Sequence, residues 1–139
     1  YEYAFAATMM AQPLAWFEAS SLPEEAFEAA MAIKTYRQHM ARIHAGHILP
    51  IGDEPSGFSW TGLQSMGDGE GYIAAYRESN AQNKAQLALW GLANRHLHLD
   101  AIIGQGKSFE CETGTLGTCI FALPEPFSYC LYHYRVLCE

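Results

Sequence analysis

The chain has 139 residues, of which 50% are hydrophobic, and a formal net charge of −7. That length and apolar content suit one ordinary domain with a real core and argue against disorder. The acidic residues are scattered rather than clustered, so the charge favours solubility and disfavours a nucleic-acid partner. No stretch approaches the roughly 18–20 uninterrupted apolar residues of a membrane span, so no membrane segment is predicted.

The first segment of the chain is apolar nearly all round. Residues 3–19 predict a helix that must be covered on more than one side, and Pro13 is expected to kink or interrupt it. Because so much apolar surface would otherwise meet water, residues 1–20 are expected to drive self-association unless another body covers them.

A second helix is predicted over residues 22–45 from apolar positions that recur in steps of three and four. Ser21 and Glu24 form a capping box at its start, in which each side chain satisfies an unpaired backbone N–H. Gly46 suits the C′ position that ends a helix. Two helices therefore make up a helical segment over residues 1–46.

Beyond Gly46 the hydrophobic period becomes strand-like, and turn residues recur at short intervals. About eight short strands with this spacing predict an antiparallel β-sandwich over residues 47–139. The fold class is therefore mainly β with N-terminal helices. The predicted strands cover residues 47–51, 58–66, 71–78, 84–90, 95–103, 107–112, 116–123 and 127–136.

Four cysteines lie in the last third of the chain, without the spacing of a zinc site: Cys111, Cys119, Cys130 and Cys138. A bridge between Cys111 and Cys119 could close a hairpin, but buried free thiols in a reducing compartment are the expectation. A cytoplasmic location follows from that expectation, while a secreted or periplasmic one stays open. No metal and no cofactor is predicted.

Histidines occur at two places where they could do more than fill the surface. His96 and His98 would share one face of a strand, which is how a two-ligand metal site can begin. No third ligand is spaced to join them, so two half-exposed residues alternating with buried leucines are expected. His44 and His47 flank the predicted helix end, where they are expected to cap exposed carbonyl groups.

Neighbouring carboxylates are candidates for acid–base chemistry, and the chain has two such pairs, Asp53-Glu54 and Glu24-Glu25. Neighbours in a chain usually point apart, and these lie in a predicted turn and at a helix start. Asp100, within a predicted strand, is no better supported. The glycines of residues 67–71 lack a Walker lysine, and the acids among them repel phosphate, so a hairpin turn is predicted. No catalytic residue is assigned.

Aromatic side chains are the only material for sugar binding, since the flat apolar face of a pyranose packs on an aromatic ring. Trp60 and Trp90 are the candidate substrate-binding residues. Aromatics on strands more often pack in the core or in cross-strand pairs, and that alternative stays open. Further candidates are the tyrosines Tyr72, Tyr76, Tyr129, Tyr132 and Tyr134.

Six segments together resemble the C-terminal region of melibiase-like α-galactosidases, which belong to clan D of the glycoside hydrolases. The likeness covers most of the chain and includes no catalytic signature. The segments are residues 11–18 (AQPLAWFE), 22–25 (LPEE), 48–57 (ILPIGDEPSG), 60–65 (WTGLQS), 71–78 (GYIAAYRE) and 127–132 (FSYCLY).

The resemblance implies a (β/α)8 barrel upstream, whose strands end in the two aspartates of a retaining mechanism, followed by a β-sandwich. Residues 3–19 would then be the last barrel segment. A start without Met inside an apolar segment is typical of a piece of a longer polypeptide, although a removed leader or tag leaves the same trace. The expected partner is the missing catalytic barrel, with galactosides as possible ligands.

The resemblance therefore predicts an accessory, structural portion of a retaining α-galactosidase-like enzyme that is not catalytic alone. Two other functions stay open. One is an independent carbohydrate-binding β-sandwich with tryptophans exposed on a sheet face. The other is an oligomerisation or interaction module with two helices laid against the sandwich.

Overall fold

Helices come first and strands afterwards, as the change of period predicts. The structure, a computed structural model, describes residues 1–14 and 19–137. Its α-helices are α1 (Glu2–Ala6) and α2 (Ala30–Ala45), with short 3-10 helices at Met9–Ala11, Ala19–Ser21 and Glu24–Ala29. Its strands are β1 (His47–Gly52), β2 (Trp60–Met66), β3 (Glu70–Arg77), β4 (Lys84–Ala88), β5 (His96–Gly104), β6 (Phe109–Glu112), β7 (Thr118–Ala122) and β8 (Ser128–Val136).

The strands form two antiparallel sheets, which confirms the predicted mainly β, sandwich-like class. Six strands run in the order β1-β2-β3-β8-β5-β6, and β4 pairs with β7 in a second sheet. The two strands of the small sheet contact β1 and β6, the edge strands of the large one. The core between the sheets includes Ile73, Leu97, Leu99 and Phe121, all fully buried. The small sheet thus closes one face of the large sheet.

The helical layer closes part of the opposite face of the six-stranded sheet. Residues on β3, such as Tyr72 and Tyr76, and Tyr129 on β8 alternate with the sandwich core and pack toward the helices. The Tyr76 hydroxyl donates to the Ala6 carbonyl at 2.6 Å, and the Tyr129 hydroxyl donates to the Glu2 carboxylate at 2.7 Å. Burial raises the pKa of Tyr76, so its hydroxyl stays a donor. These bonds fix the N-terminal segment on the sheet.

The predicted helix over residues 3–19 is wrong in its extent. The α-helix ends at Ala6, a 3-10 helix covers Met9–Ala11, and Gln12 has a left-handed backbone with φ of 54°. Since Pro13 disfavours helical geometry in the residue before it, the chain turns there rather than kinking within one helix. The rest of the predicted helix includes residues 15–18, which lie outside the described part of the chain.

The predicted capping box is also wrong. Ser21 ends a short 3-10 helix, and Pro23 is the N-cap of the next one, with no side-chain capping bond. The predicted helix over residues 22–45 therefore begins as a 3-10 helix at Glu24–Ala29 and becomes α-helical at Ala30. Its end at Ala45 agrees with the prediction.

Gly46 follows α2, but for a different reason from the one predicted. Its φ of −84° is ordinary for any residue, so it is not a left-handed C′ glycine. A Cβ at this position would lie 2.3 Å from the Ser65 hydroxyl oxygen. That hydroxyl donates to the Ile43 carbonyl at 2.5 Å, so a serine on β2 satisfies the helix end. Close approach of helix and sheet requires the glycine.

The histidines near this helix end do not cap it as predicted. A ring nitrogen of His44 lies 3.0 Å from the hydroxyl of Tyr36, one of the most buried residues of the helical layer. His47 is the first residue of β1 and is exposed. The His44 ring thus bonds to a side chain of its own helix, and the His47 side chain faces solvent.

The expectation of free thiols is wrong for two of the four cysteines. Cys111 and Cys119 form a disulfide. Because β6 pairs with β5 and β7 pairs with β4, the bridge joins the two sheets rather than closing a hairpin. Cys130 is a buried free thiol, as expected, and burial raises its pKa to about 11. Cys138 lies outside the described residues.

Candidate functional site

The two tryptophans chosen from the sequence occupy different environments. Trp60 is only 3% exposed, packs in the core between the sheets, and donates its indole N–H to the Gln82 carbonyl at 2.9 Å. Trp90, in the connection between β4 and β5, is 51% exposed. Since stacking on a ligand needs an open ring face, Trp90 is the tryptophan whose position suits that role.

A buried glutamine holds Trp90 in place. Gln64, on β2, is fully buried, and its amide makes both hydrogen bonds available to the Trp90 backbone. The backbone N–H of Trp90 donates to the Gln64 side-chain oxygen at 2.7 Å. The Gln64 side-chain N–H in turn donates to the Trp90 carbonyl at 3.0 Å. The indole N–H of Trp90 donates to the Pro50 carbonyl at 2.7 Å. The ring is therefore both exposed and fixed.

A cleft of about 280 Å3 lies beside Trp90, between the β2–β3 turn and the β4–β5 connection. Leu92 and Tyr134 contribute apolar surface to its wall, while Asp68 and Arg95 bring charge of opposite sign. In the described part of the chain, neither charged side chain has an ion pair or a side-chain hydrogen bond. These groups are consequently available to a ligand.

A second polar region crosses the helix-side face of the six-stranded sheet. Residues that are register partners place their side chains on the same face, and Glu110, His98, Arg135 and Glu70 are successive partners across β6, β5, β8 and β3. A carboxylate stands at each end of this row, and an imidazole and a guanidinium lie between them. The predicted alternation of the β5 histidines with buried leucines is confirmed.

His98 lies at the centre of the charged row. Its Nδ1 is 3.1 Å from the Glu110 carboxylate, and its Nε2 is 2.9 Å from the Asp100 carboxylate. Only the doubly protonated ring donates to both. Hydrogen bonds to Asp100 and then Glu110 accordingly raise the pKa of His98, and the bond from His98 lowers the pKa of Asp100. Arg135 also donates to Asp100 at 2.9 Å.

We expect His98 to titrate above the ordinary histidine value of about 6.5. A raised folded-state pKa means that this cluster stabilises the fold fully below the unfolded-state pKa, and that its contribution is lost as pH rises through the folded-state pKa. The Asp100→Asn substitution removes the largest cause, so it should lower the pKa of His98 toward the ordinary value.

The measurement is an NMR titration of the His98 ring protons. Asp53→Asn, at an exposed site in the turn after β1, is the matched control and should leave the titration unchanged. A His98 pKa at or below the ordinary value in the native chain would contradict the assigned ion pairs.

A neighbouring cluster ties α2 to the sheet. Arg42 on α2 donates to the Glu70 carboxylate at 2.5 Å, and the ring of His133 lies 3.0 Å from the same carboxylate. The bond from Arg42 lowers the pKa of Glu70, whereas burial lowers the pKa of His133. The guanidinium also lies 5.8 Å from the centre of the Tyr72 ring. The charged groups of Arg42, Glu70 and His133 thus bond to one another and hold α2 on the sheet.

The carboxylate pairs of the sequence are not brought together. Asp53 and Glu54 follow β1, Glu24 and Glu25 open a 3-10 helix, and Asp100 belongs to the His98 cluster. In residues 1–14 and 19–137, no group of three or more histidine, cysteine or carboxylate side chains is arranged to hold a metal ion. No helix in that part of the chain is long and apolar enough to cross a membrane.

Comparison with protein-family models, curated proteins and solved structures found no match.

Sequence reasoning missed Gln64, Asp68 and Arg95 as parts of one site. Asp68 lay within a motif interpreted as a simple turn, and Gln64 within the family resemblance. A polar residue alternating with apolar ones on a strand was the available signal for Gln64, because a buried amide needs partners. The loop contacts that unite these residues connect parts of the chain too far apart for local patterns to reveal.

Proposed function

We propose that this chain is the C-terminal accessory portion of a retaining α-galactosidase-like glycoside hydrolase and packs against its catalytic barrel. In this proposal the chain contributes stability, and the chemistry belongs to aspartates on barrel strands. No residue of this chain is assigned to the double displacement.

One observation carries the proposal. Four segments that resemble the melibiase-like family occupy the neighbouring strands β1, β2, β3 and β8 of the six-stranded sheet, three of them consecutive in the sequence. They include the turn after β1 and the N-terminal part of β8. The segment at residues 127–132 is remote from the other three in the sequence, and β8 brings it beside β3. The shared positions therefore behave as one structural unit, the surface on which the helical layer lies.

The helical layer offers apolar surface to a partner. Six of the eleven large hydrophobic side chains that are exposed in the described residues lie between residues 1 and 45. Leu14 is 78% exposed, Phe27 57% and Met31 68%. Such concentration of apolar surface is typical of an interface. The catalytic barrel is the occupant that the family resemblance supplies, and self-association through this layer is the alternative.

The disulfide bears on the compartment. A bridge between sheets persists in oxidising surroundings and is uncommon in the cytosol. Of the locations left open by the sequence, Cys111–Cys119 therefore favours a secreted or periplasmic one over the cytoplasmic one first expected.

The decisive experiment is to express the product of the complete reading frame and to assay p-nitrophenyl α-galactoside hydrolysis. We expect turnover by that product and none by the 139-residue chain, because the paired carboxylates lie in the barrel. A product with inverted anomeric configuration, absence of hydrolysis, or a reading frame that encodes no barrel would each contradict the proposal.

The interface is tested in the same product with Met31→Glu, which places a charge on the exposed helical face. We expect a lower unfolding temperature and less activity, because a charge buried at an interface without a partner is costly. Ile120→Glu is the matched control, since Ile120 is 61% exposed on β7, away from the helical layer. Equal effects of the two substitutions would argue against packing through the helices.

A further inference from the structure

We infer that the cleft beside Trp90 is a binding site for a neutral pyranose sugar. The sugar's apolar face stacks on the exposed indole, and its hydroxyl groups bond to Asp68 and Arg95. This inference goes beyond the accessory role proposed above and does not depend on it, because every group involved lies in this chain.

The first argument is the way in which Trp90 is held. An exposed tryptophan normally moves among rotamers, yet this one is fixed by hydrogen bonds through its backbone N–H, its carbonyl and its indole N–H. Two of these bonds are made by the side-chain amide of Gln64, which is fully buried. A ring fixed before the ligand arrives loses little conformational entropy on binding. Gln64 is thus a positioning residue for a recognition surface.

The second argument is the charge of the cleft. Asp68 accepts hydrogen bonds and Arg95 donates them, and neither has a side-chain partner in the described residues. An anionic ligand would meet the Asp68 carboxylate, and a cationic one would meet the Arg95 guanidinium. A sugar hydroxyl both donates and accepts, so a neutral polyol satisfies the two groups together. The opposite charges therefore select for a ligand without net charge.

The third argument is size and surface. At about 280 Å3 the cleft lies near the lower end of the roughly 300–1,000 Å3 that is typical of small-molecule sites. It accommodates one sugar ring rather than a chain buried along its length. Leu92 and Tyr134 provide apolar wall near the indole. One sugar ring at the end of an oligosaccharide matches this combination of one stacking ring and two polar groups.

The test is an NMR titration of the 139-residue chain with methyl α-galactoside, methyl α-glucoside and methyl α-mannoside, one at a time. We expect at least one of them to shift the Trp90 indole N–H signal with a Kd on the order of 1 mM, as suits a small ligand in a shallow site. The Trp60 signal should stay unchanged, because that ring is buried.

Substitutions distinguish a site from a general effect of sugar. Binding by every variant is followed through the backbone amide signals of Gly67 and Gly91, which line the cleft and remain in each of them. Trp90→Ala should weaken binding at least tenfold, Trp90→Phe should weaken it less, and Asp68→Asn and Arg95→Gln should each weaken it several-fold. Phe58→Ala, at a 68% exposed aromatic residue, and Arg37→Gln, at an exposed arginine of α2, are the matched controls.

Melting curves of each variant establish that the fold is intact. No shift with any of the three glycosides, or binding that survives Trp90→Ala in a folded protein, would overturn the inference. Because binding is measured on this chain and hydrolysis on the complete product, a failure here leaves the proposed function standing, and the reverse also holds.

Discussion

Replacing Arg77 with methionine is expected to lower the free energy of unfolding by roughly 3 kcal/mol. Arg77 ends β3, is 4% exposed, and donates to the backbone carbonyls of Asn80 at 2.7 and 2.9 Å, Leu123 at 3.0 Å and Ala81 at 3.4 Å. It therefore joins the β3–β4 connection to the end of β7. Methionine fills similar volume, but it leaves the buried Leu123 carbonyl without a donor and removes the part-buried bonds to Asn80 and Ala81. A buried acceptor without a partner is costly.

Urea denaturation with and without the substitution measures this effect as a change in midpoint at constant slope. Arg77→Lys keeps the charge but lacks the planar fork, so an intermediate loss is expected. Arg37→Met, at an exposed position of α2, is the matched control and should change stability by no more than about 0.5 kcal/mol. Equal midpoints for Arg77→Met and Arg37→Met would show that these hydrogen bonds contribute nothing net.

Removing the disulfide is expected to cost about 2–3 kcal/mol. Cys111 and Cys119 are eight positions apart, so the loop they close is short, and the constraint on the unfolded chain is at the lower end of the usual range. The bridge also connects β6 to β7 and hence the large sheet to the small one. Its loss should be felt by the whole sandwich.

The double substitution Cys111→Ser with Cys119→Ser tests this in urea, beside the native chain with and without dithiothreitol. Reductant should shift the native midpoint to that of the double variant and leave the variant itself unchanged. Thiol titration of the denatured protein should show two additional thiols after reduction. A native midpoint that ignores reductant would contradict a stabilising bridge.

The strands were predictable because their signals are local. The predicted strand at residues 47–51 is β1 at His47–Gly52, and that at 84–90 is β4 at Lys84–Ala88. Alternating apolar and polar residues indicate a strand with one buried face. Glycines mark the turns between strands, where the backbone has positive φ, as at Gly69 (71°) and Gly114 (59°). Errors are confined to strand ends, where pairing with neighbours decides the last residue.

The N-terminal helix was over-predicted because its apolar residues are placed by the sheet. Tyr36 donates to the Met9 carbonyl at 2.9 Å, and Tyr76 donates to the Ala6 carbonyl. In a continuous helix the Ala6 carbonyl would accept from the Met10 N–H, whereas the Met9 carbonyl would face Pro13, which has no N–H to donate. Apolar composition indicated that the segment is buried, but its path depends on hydroxyl groups from distant parts of the chain.

The sequence indicated only part of the candidate site, namely Trp90 and Tyr134. Trp60 and Trp90 look alike in the sequence, since both stand near the ends of predicted strands. Strand pairing places Trp60 between the sheets, and Gln64 holds Trp90 outside them. Asp68 and Arg95 lie beside Trp90 only because the β2–β3 turn and the β4–β5 connection meet at one end of the sandwich.

The sequence by itself determined the order of helices and strands and the mainly β class, because hydrophobic period and turn residues act over a few positions. The tertiary structure alone decided which tryptophan meets solvent, that Cys111 and Cys119 join two sheets, and that Arg77 serves the carbonyl groups of two connections. Each of these depends on strand register and packing between distant residues, which no local pattern encodes.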